Sequence, residues 1–294
     1  MSTELTELVK PVLSDDDFLA DVKASSQTAD EFHLWWLGQS GFLLQWNGRH
    51  LLFDPYLSDS LTKKYAATDK PHVRMTEIVI DPSRLDFIDV ATSTHNHTDH
   101  LDHETLLPLM AANQNLKLVI PEANRAFAAD RLKCDAAWFV GSDDGETIQI
   151  GEFEITGLAA AHEEIEFDEE GRCTHLGYIV RFGDFTIYHA GDNKGFDGMA
   201  EELLAAVGDR KIDVALLPIN GRKAERRVPG NFWGHEAAKF AKDINAGLAI
   251  PMHFEMFRFN TETPDEFVAT CGELGQPHRV LKCGERFSVT VSRA

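Results

Sequence analysis

Three histidines and one aspartate lie within six residues of this chain, directly after the largely apolar run at residues 87–91. In extended or tightly turned backbone, side chains two residues apart project to the same side, so His95 and His97 can bind one metal ion. Asp99 and His100 can then turn toward a second ion. A helix would place residues two apart on nearly opposite faces. The pattern therefore predicts a metal-binding loop at the carboxyl end of a strand, with a polar connecting loop as the alternative.

The charge of the chain opposes a polyanionic partner. Its 294 residues include 28 Lys plus Arg and 48 Asp plus Glu, a formal net charge of −20, which disfavours binding to nucleic acid. The four cysteines form no CxxC pair, which is typical of reducing cytoplasm. No basic segment leads into an apolar one at the start, and no apolar run is long enough to cross a membrane. We expect a cytoplasmic protein that has no membrane partner.

The first 30 residues are polar and compatible with a helix. Ser14 followed by three aspartates is typical of a helix start. We predict that residues 1–30 form an N-terminal helical arm outside the core. The length of the chain allows residues 1–294 to form a single domain.

Short apolar runs separated by turn residues follow the arm, as in a β meander. Residues 58–82 are of mixed polar sequence with prolines, and we predict a long loop over the mouth of a site. The histidine loop then leads into one α/β alternation. The elements predicted for this half are strands at 32–37, 42–46, 50–53 and 117–120, and helices at 102–112 and after Pro121.

The second half repeats this order, with a meander before an α/β alternation. Two sheets packed together, with helices outside, would bury the apolar faces of both. The predicted fold class is therefore α/β, a four-layer αββα sandwich with two mixed sheets. The elements predicted here are strands at 147–150, 153–160, 176–182, 185–188, 212–217, 248–250 and 287–291, and helices at 196–207, 235–244 and 264–272.

Three further candidate ligands lie where predicted strands give way to loops, namely His162, Asp192 and His253. Sheet scaffolds commonly present reactive side chains at such positions. Taken alone, each histidine is as compatible with an ordinary loop histidine, and Asp192 with a turn aspartate. Their joint order along the chain favours a shared site.

The ordered series from Asp54 through the histidine loop to His162, Asp192 and His253 resembles the metallo-β-lactamase superfamily across nearly the whole chain. Within it, the chain is similar to the L-ascorbate-6-phosphate lactonase branch and to a broader group of uncharacterised metal-dependent hydrolases. The first likeness rests on WWLGQSG at 35–41, VIDP at 79–82, ID at 88–89 and HLD at 100–102, and the second on YHAGD at 188–192 and LPING at 217–221.

The resemblance implies the αββα fold and a site for two divalent ions, zinc or manganese, with iron also possible. One ion would be held by His95, His97 and His162, the other by Asp99, His100 and His253, with Asp192 bridging them. Asp54 would orient the histidine loop, since a ligating imidazole needs its other nitrogen fixed; an Asp-Pro turn is the alternative for this residue. His189 is expected beside the ligands rather than among them.

Paired ions can share a water, lower its pKa and present it to an electrophile. Asp99 would be the catalytic residue, taking the proton of that water and returning it to the leaving group. Members of the lactonase branch tend to carry another residue where His162 stands, so this chain resembles a more fully dinuclear site.

The substrate is the least constrained part of the sequence. Residues 222–227 concentrate positive charge in an acidic chain, and an arginine there could bind a phosphate or carboxylate. A solvated loop that balances local acidity is the alternative. The predicted substrate-binding residues are Asn220, Arg222, Arg226 and Tyr56.

These observations predict a metal-dependent hydrolase of a small anionic ester, best represented by a sugar-phosphate lactone. The alternatives are a phosphoester hydrolase of the same fold and a non-haem iron oxidoreductase. A nuclease is disfavoured by the net charge. The resemblance also implies a homo-oligomer.

Overall fold

Two β-sheets packed face to face organise the computed structural model, which describes residues 7–25 and 27–290. The first sheet has strand order β13-β1-β2-β3-β4-β5-β6. Its hairpins are antiparallel, whereas β3 to β6 run parallel. Its strands are β1 (Glu31–Gly38), β2 (Gly41–Trp46), β3 (Arg49–Phe53), β4 (Val90–Thr92), β5 (Lys117–Pro121), β6 (Val140–Ser142) and β13 (Arg286–Thr290).

The second sheet has strand order β12-β11-β10-β9-β8-β7. An antiparallel meander from β7 to β10 is followed by the parallel pairs β10–β11 and β11–β12. Both sheets are therefore mixed. The strands are β7 (Thr147–Ile150), β8 (Phe153–Ala159), β9 (Leu176–Phe182), β10 (Phe185–His189), β11 (Val214–Pro218) and β12 (Leu248–Met252).

Aromatic side chains join the two sheets. The ring of Phe32 in β1 lies edge-on to Phe182 in β9 and Phe185 in β10, at centroid distances of 5.3 Å and 4.8 Å. Such edge-to-face pairs are favourable beyond the area they bury. The predicted αββα sandwich with two mixed sheets is confirmed. Its helices are α1 (Asp15–Ala24), α2 (Ser60–Tyr65), α3 (His103–Ala112), α4 (Arg125–Leu132), α5 (Met199–Val207), α6 (Gly234–Asp243) and α7 (Asp265–Leu274).

Most predicted elements are present, with ends that differ by up to three residues. The turn between β2 and β3, one of those expected in the predicted meander, is formed by Asn47 (φ 48°) and Gly48 (φ 72°), the left-handed pair that a two-residue hairpin turn requires. Among the described residues, no helix is long and apolar enough to cross a membrane.

One prediction about the elements needs correction, because residues 58–82 are not a loop throughout and α2 forms within them. The short strand β6 was not predicted, since its sequence has no recognisable strand pattern. The final strand pairs with β1 in the first sheet, and its predicted end residue Val291 lies outside the described residues.

The N-terminal helix is part of the core, contrary to the prediction for residues 1–30, of which 1–6 and 26 lie outside the described residues. Phe18 and Val22, one helical turn apart, are buried against the first sheet. The Phe18 ring lies 6.2 Å from that of Trp35, whose indole Nε1 donates to Asp21 at 2.9 Å. The three aspartates at the helix start made the segment look polar throughout, so its apolar face was not recognised in the sequence.

Replacing Phe18 by Ala should lower the free energy of unfolding by about 3–5 kcal/mol, because a fully buried ring would leave a cavity. Urea unfolding followed by circular dichroism measures this. The matched control is Lys23→Ala on the exposed face of the same helix, which should change stability by less than about 0.5 kcal/mol. Equal effects of the two substitutions would contradict the docking of α1 on the core.

Candidate metal centre

The loops that carry the predicted ligands lie at the carboxyl ends of strands in both sheets. In the first sheet β1, β3 and β4 run in the same direction, and in the second sheet so do β8, β10 and β12. Every predicted ligand follows the carboxyl end of one of these strands, where loops are free to present side chains.

A first group of donors consists of His95, His97, His162 and Asp192, with one ligand atom from each lying within 4.8 Å of the others. His95 Nε2 and His97 Nδ1 are 2.9 Å apart. Two imidazole nitrogens this close either share a proton or face one cation. His95 and His97, two residues apart, therefore project to the same side of the loop, as expected from their spacing.

A second group consists of Asp99, His100 and His253, whose ligand atoms also lie within 4.8 Å of one another. Asp99 Oδ2 lies 3.8 Å from His100 Nε2 and 3.6 Å from His253 Nε2. All seven predicted ligands are thus brought together, and they fall into the two sets that the family resemblance implied.

The carboxylate of Asp192 lies between the two groups. Its Oδ2 is 3.3 Å from His162 Nε2, whereas its Oδ1 is 3.3 Å from both His100 Nε2 and His253 Nε2. Each oxygen therefore faces a different group, which is the placement that a bridging carboxylate requires.

Asp54 supports the histidine loop from beneath. It is fully buried and accepts hydrogen bonds from His100 Nδ1 (2.7 Å), Thr94 N (3.1 Å), Thr92 Oγ1 (3.0 Å) and the Thr94 hydroxyl. His100 must donate through Nδ1, so its Nε2 is directed at Asp192. This contact is of the orienting kind that the family resemblance implied for Asp54.

Two other histidines have their orientation fixed by backbone groups. His162 Nδ1 donates to the carbonyl oxygen of Gly230 at 2.9 Å, which turns its Nε2 toward Asp192. His189 Nε2 donates to Ser40 O at 2.9 Å, and its Nδ1 accepts from Gly191 N at 3.2 Å. His189 therefore shapes the turn that leads to Asp192, without being among the assembled ligands.

Several site residues have left-handed backbone. Gln39, Asp54 and His253 have φ values of 50°, 36° and 63°, which non-glycine residues adopt only at a cost. Gly191 has φ +61°, and a Cβ there would lie 2.8 Å from Thr94 Cβ. Only glycine allows the Asp192 turn to approach the histidine loop this closely.

The electrostatics of the two groups differ. Burial lowers the pKa of His97 to about 4, and burial with the neighbouring His100 holds the pKa of His95 well below its ordinary value. Both imidazoles are therefore neutral, which is the form that binds metals. Burial also opposes protonation of His253, but the carboxylates of Asp192 and Asp99 outweigh it and raise the pKa of His253 to about 9.

These features fit a bound cation. His100 Nε2 and Asp192 Oδ1 are buried and find no hydrogen-bond partner in the described part of the chain, although they face each other at 3.3 Å. Buried polar atoms are rarely left in this state. The negative field that favours protons on His100 and His253 equally favours a metal ion, and the imidazole–carboxylate donor set suits a divalent transition metal.

The sequence did not identify two further residues at the centre. Gln39 Nε2 donates to Asp99 Oδ2 at 2.7 Å and lies 3.0 Å from His253 Nε2. The His175 ring stacks on His95 at a centroid distance of 4.8 Å. Gln39 lies in a glycine-bounded turn at a strand end, which is a signal that could have identified it, whereas His175 precedes its strand and carries no such signal.

A cavity of about 340 Å³ opens above the two groups. Metal-site side chains form its floor, aromatic side chains one wall, and cations part of its rim. The cavity lining includes His97, Asp99, His162, Asp192, His253, Lys64, Tyr65, His72, Phe127, Arg131, Phe257, Phe259 and Asn260.

The four predicted substrate-binding residues do not line this cavity. Tyr56 is buried, and its hydroxyl accepts from Leu61 N at 3.1 Å. Asn220 is buried and donates through Nδ2 to Asn260 Oδ1 at 3.0 Å, so it supports a lining residue from behind.

The two predicted arginines are already paired with protein groups. Arg222 makes a two-pronged ion pair with Glu236, at 2.5 Å and 2.6 Å. Arg226 is buried and donates to Glu262 and to the carbonyl oxygens of Asn220 and Thr261. The prediction that these residues contact substrate is therefore not supported, because their charge organises the loop itself.

Residues 33–253 match the family described as "Beta-lactamase superfamily domain". The chain belongs to the metallo-β-lactamase superfamily. A UPF0173 metal-dependent hydrolase of Opitutus terrae is 30% identical to this superfamily member over 264 residues, which cover 87% of this chain and 99% of the relative. The protein is thus a metal-dependent hydrolase by family, and its likeness to the lactonase branch stays a prediction.

Solved structures share the metallo-β-lactamase fold at lower identity. Igni18, a metallo hydrolase from Ignicoccus hospitalis, has a TM-score of 0.64 and 21% identity, with 89% of this chain and 100% of that chain covered. CmlA, a diiron β-hydroxylase from Streptomyces venezuelae, has a TM-score of 0.63 and 18% identity, with 94% and 59% covered. At these identities the likeness shows the fold alone.

Replacing Asp54 by Asn should lower zinc affinity roughly 10- to 100-fold, because an amide orients His100 less strongly than a carboxylate. Competition with a chromogenic chelator measures the affinity, and circular dichroism checks the fold. Asp89→Asn is the matched control, since Asp89 lies next to the same sheet, directly before β4, but pairs with Arg49 at the surface. Wild-type zinc affinity in Asp54→Asn would contradict the orienting role.

Zinc binding should release protons and strengthen as the pH rises from about 7 toward 9. The cause is that His253, with its pKa raised to about 9, must lose a proton to become a ligand. Calorimetric titration in buffers of different ionisation enthalpy counts the protons released. His253→Gln should release fewer, and a pH-independent affinity in the wild-type protein would show the assignment of His253 to be wrong.

Proposed function

We propose that this metal-dependent hydrolase cleaves a lactone or ester bond in a small anionic molecule and uses two divalent ions. The observation that carries the proposal is the pair of donor groups that share Asp192 at the floor of one cavity. Paired sites of this kind serve hydrolytic displacement in many enzymes.

The residues that would hold the ions are the two groups described above, with Asp192 shared between them. Zinc and manganese suit imidazole and carboxylate ligands, and iron is compatible with the same set. When bound, such ions supply Lewis acidity and a nucleophilic water at neutral pH.

The chain itself would move the proton through Asp99. This carboxylate lines the cavity and is 16% exposed, so it can reach both a water and a substrate. Burial alone would raise its pKa, but His100 and His253 outweigh burial and lower it, so Asp99 is ionised and can accept a proton. The hydrogen bond from Gln39 Nε2 fixes Oδ2, which keeps the carboxylate in one orientation.

The dimensions of the cavity support a small substrate. A volume of about 340 Å³ lies in the range of small-molecule sites. Tyr65, His72, Phe257 and Phe259 pack together along one wall, with the Tyr65 and His72 rings stacked at 4.2 Å. This wall suits the organic body of a substrate. A nucleic-acid substrate is disfavoured by the net charge of −20.

Two other functions use the same donor atoms. A phosphoester could be cleaved by the same paired site. An iron oxidoreductase is compatible with an all-nitrogen and oxygen donor set, because that set does not distinguish iron from zinc.

A panel of lactones, carboxylic esters and phosphoesters, run with zinc, manganese and iron in turn, separates these functions. We expect lactone or ester hydrolysis without oxygen uptake, and His97→Ala should lose metal and at least about 100-fold of the activity because it removes a ligand. His103→Ala is the matched control, since His103 is 48% exposed beside the same loop and outside both donor groups. Oxygen consumption by the iron form, or inactivity of every metal form on all lactones and esters, would overturn the proposal.

A further inference from the structure

Two cations line the metal-site cavity without a carboxylate partner among the described residues. Lys64, near the end of α2, has its Nζ 5.2 Å from the centroid of the Tyr65 ring and makes no ion pair within residues 7–25 and 27–290. Arg131, on α4, lies over the Phe127 ring at 4.4 Å. Residues from two separate helices therefore bring positive charge to one rim of the cavity.

The guanidinium of Arg131 is only partly used by the protein. Its Nη1 donates to the carbonyl oxygens of Asn96 (2.7 Å) and Leu101 (3.1 Å), which flank the metal-binding histidines. Within the described part of the chain, Nε and Nη2 of Arg131 have no acceptor. A half-buried arginine held in this way has donors left in a fixed plane, which suits an oxyanion.

Neighbouring cations are paired, in contrast. Lys63 Nζ lies 2.6 Å from Glu104, and Lys133 Nζ lies 2.8 Å from Asp130. Acidic residues outnumber basic ones by 48 to 28 in this chain, so carboxylate partners are abundant. Lys64 and Arg131 both line the same cavity, and neither forms an ion pair of this kind with the residues that the structure describes.

A charged rim facing a metal-site floor has a chemical consequence. The floor would engage the bond that is cleaved, whereas the rim cations would engage a different part of the same molecule. A second point of attachment fixes the orientation of a small substrate and lowers the entropic barrier to reaction. The aromatic side chains that line the same cavity suit the connecting body of the molecule.

We propose that Lys64 and Arg131 form an anion subsite that binds a carboxylate or phosphate group of the substrate, remote from the bond cleaved at the metal centre. The inference rests on the proposed function for the identity of the reaction. It replaces Arg222 and Arg226, which are paired elsewhere, as the source of anion recognition.

The test measures charge recognition without requiring turnover. Zinc-loaded protein is titrated by calorimetry with linear dicarboxylates from succinate to suberate and with the half-amide of each. Each pair has the same length and shape but differs by one charge at the far end, while the near carboxylate meets the zinc in both. At the best-fitting length, the dicarboxylate should bind roughly tenfold more tightly than its half-amide, as expected for a charge-assisted hydrogen bond.

Lys64→Ala should remove most of this preference, while zinc content per chain stays at the wild-type value. Lys63→Ala is the matched control and should keep the preference, because Lys63 lies next in sequence but is paired with Glu104. Arg131→Lys should lose part of the preference by losing the forked geometry, and zinc content in this variant reports whether the histidine loop is intact.

The preference should also weaken as salt is raised, since the subsite is open to solvent. The proposal is overturned if no chain length shows a preference for the dicarboxylate, or if Lys63→Ala removes the preference as fully as Lys64→Ala. Loss of the preference in Lys64→Ala together with inactivity on the whole hydrolysis panel would leave the anion subsite standing and the proposed reaction refuted. The two proposals can therefore fail separately.

Discussion

His100 lies between two buried carboxylates that come from different sheets, and the rest of the site depends on this arrangement. Its Nδ1 is 2.7 Å from Asp54, at the end of β3, and its Nε2 is 3.3 Å from Asp192, which follows β10. Three carboxylates, Asp54, Asp99 and Asp192, are gathered where the two sheets meet. Burying that much negative charge is unfavourable unless cations or protons accompany it. The imidazoles reduce this cost, and a divalent ion would reduce it further.

The sheet junction is tied together by a few direct contacts near the histidine loop. Leu176 N donates to Thr94 O at 2.9 Å, and the Tyr178 hydroxyl donates to Ser93 O at 3.1 Å. Both donors lie on β9 of the second sheet, and both acceptors lie just before His95. These bonds hold the first-sheet ligands at a fixed distance from His162 and Asp192, so the rigidity of the fold is transmitted to the geometry of the site.

The ligands could be predicted from sequence because their signal is local and chemically specific. Closely spaced histidines and acidic residues at strand ends indicate metal ligands whatever the details of the tertiary packing. The residues that bind the substrate could not be predicted in this way. Lys64 and Arg131 line the cavity, whereas Arg222 and Arg226 do not, and the pairing of Arg226 with Glu262 or Arg222 with Glu236 depends on tertiary packing. The same limit applies to α1, whose acidic first turn concealed an apolar face that became evident only against Trp35.

The order of the ligands along the chain also governs when the site can form. The centre needs Gln39 and the histidine loop from the first sheet, and His253 from the end of β12, while β13 completes the pairing of β1 only at residues 286–290. Chains emerge from the ribosome from the amino terminus, so the early ligands are synthesised long before their partners. A nascent chain therefore exposes an incomplete set of imidazoles, and capture of metal by the full ligand set must await synthesis of His253 after β12.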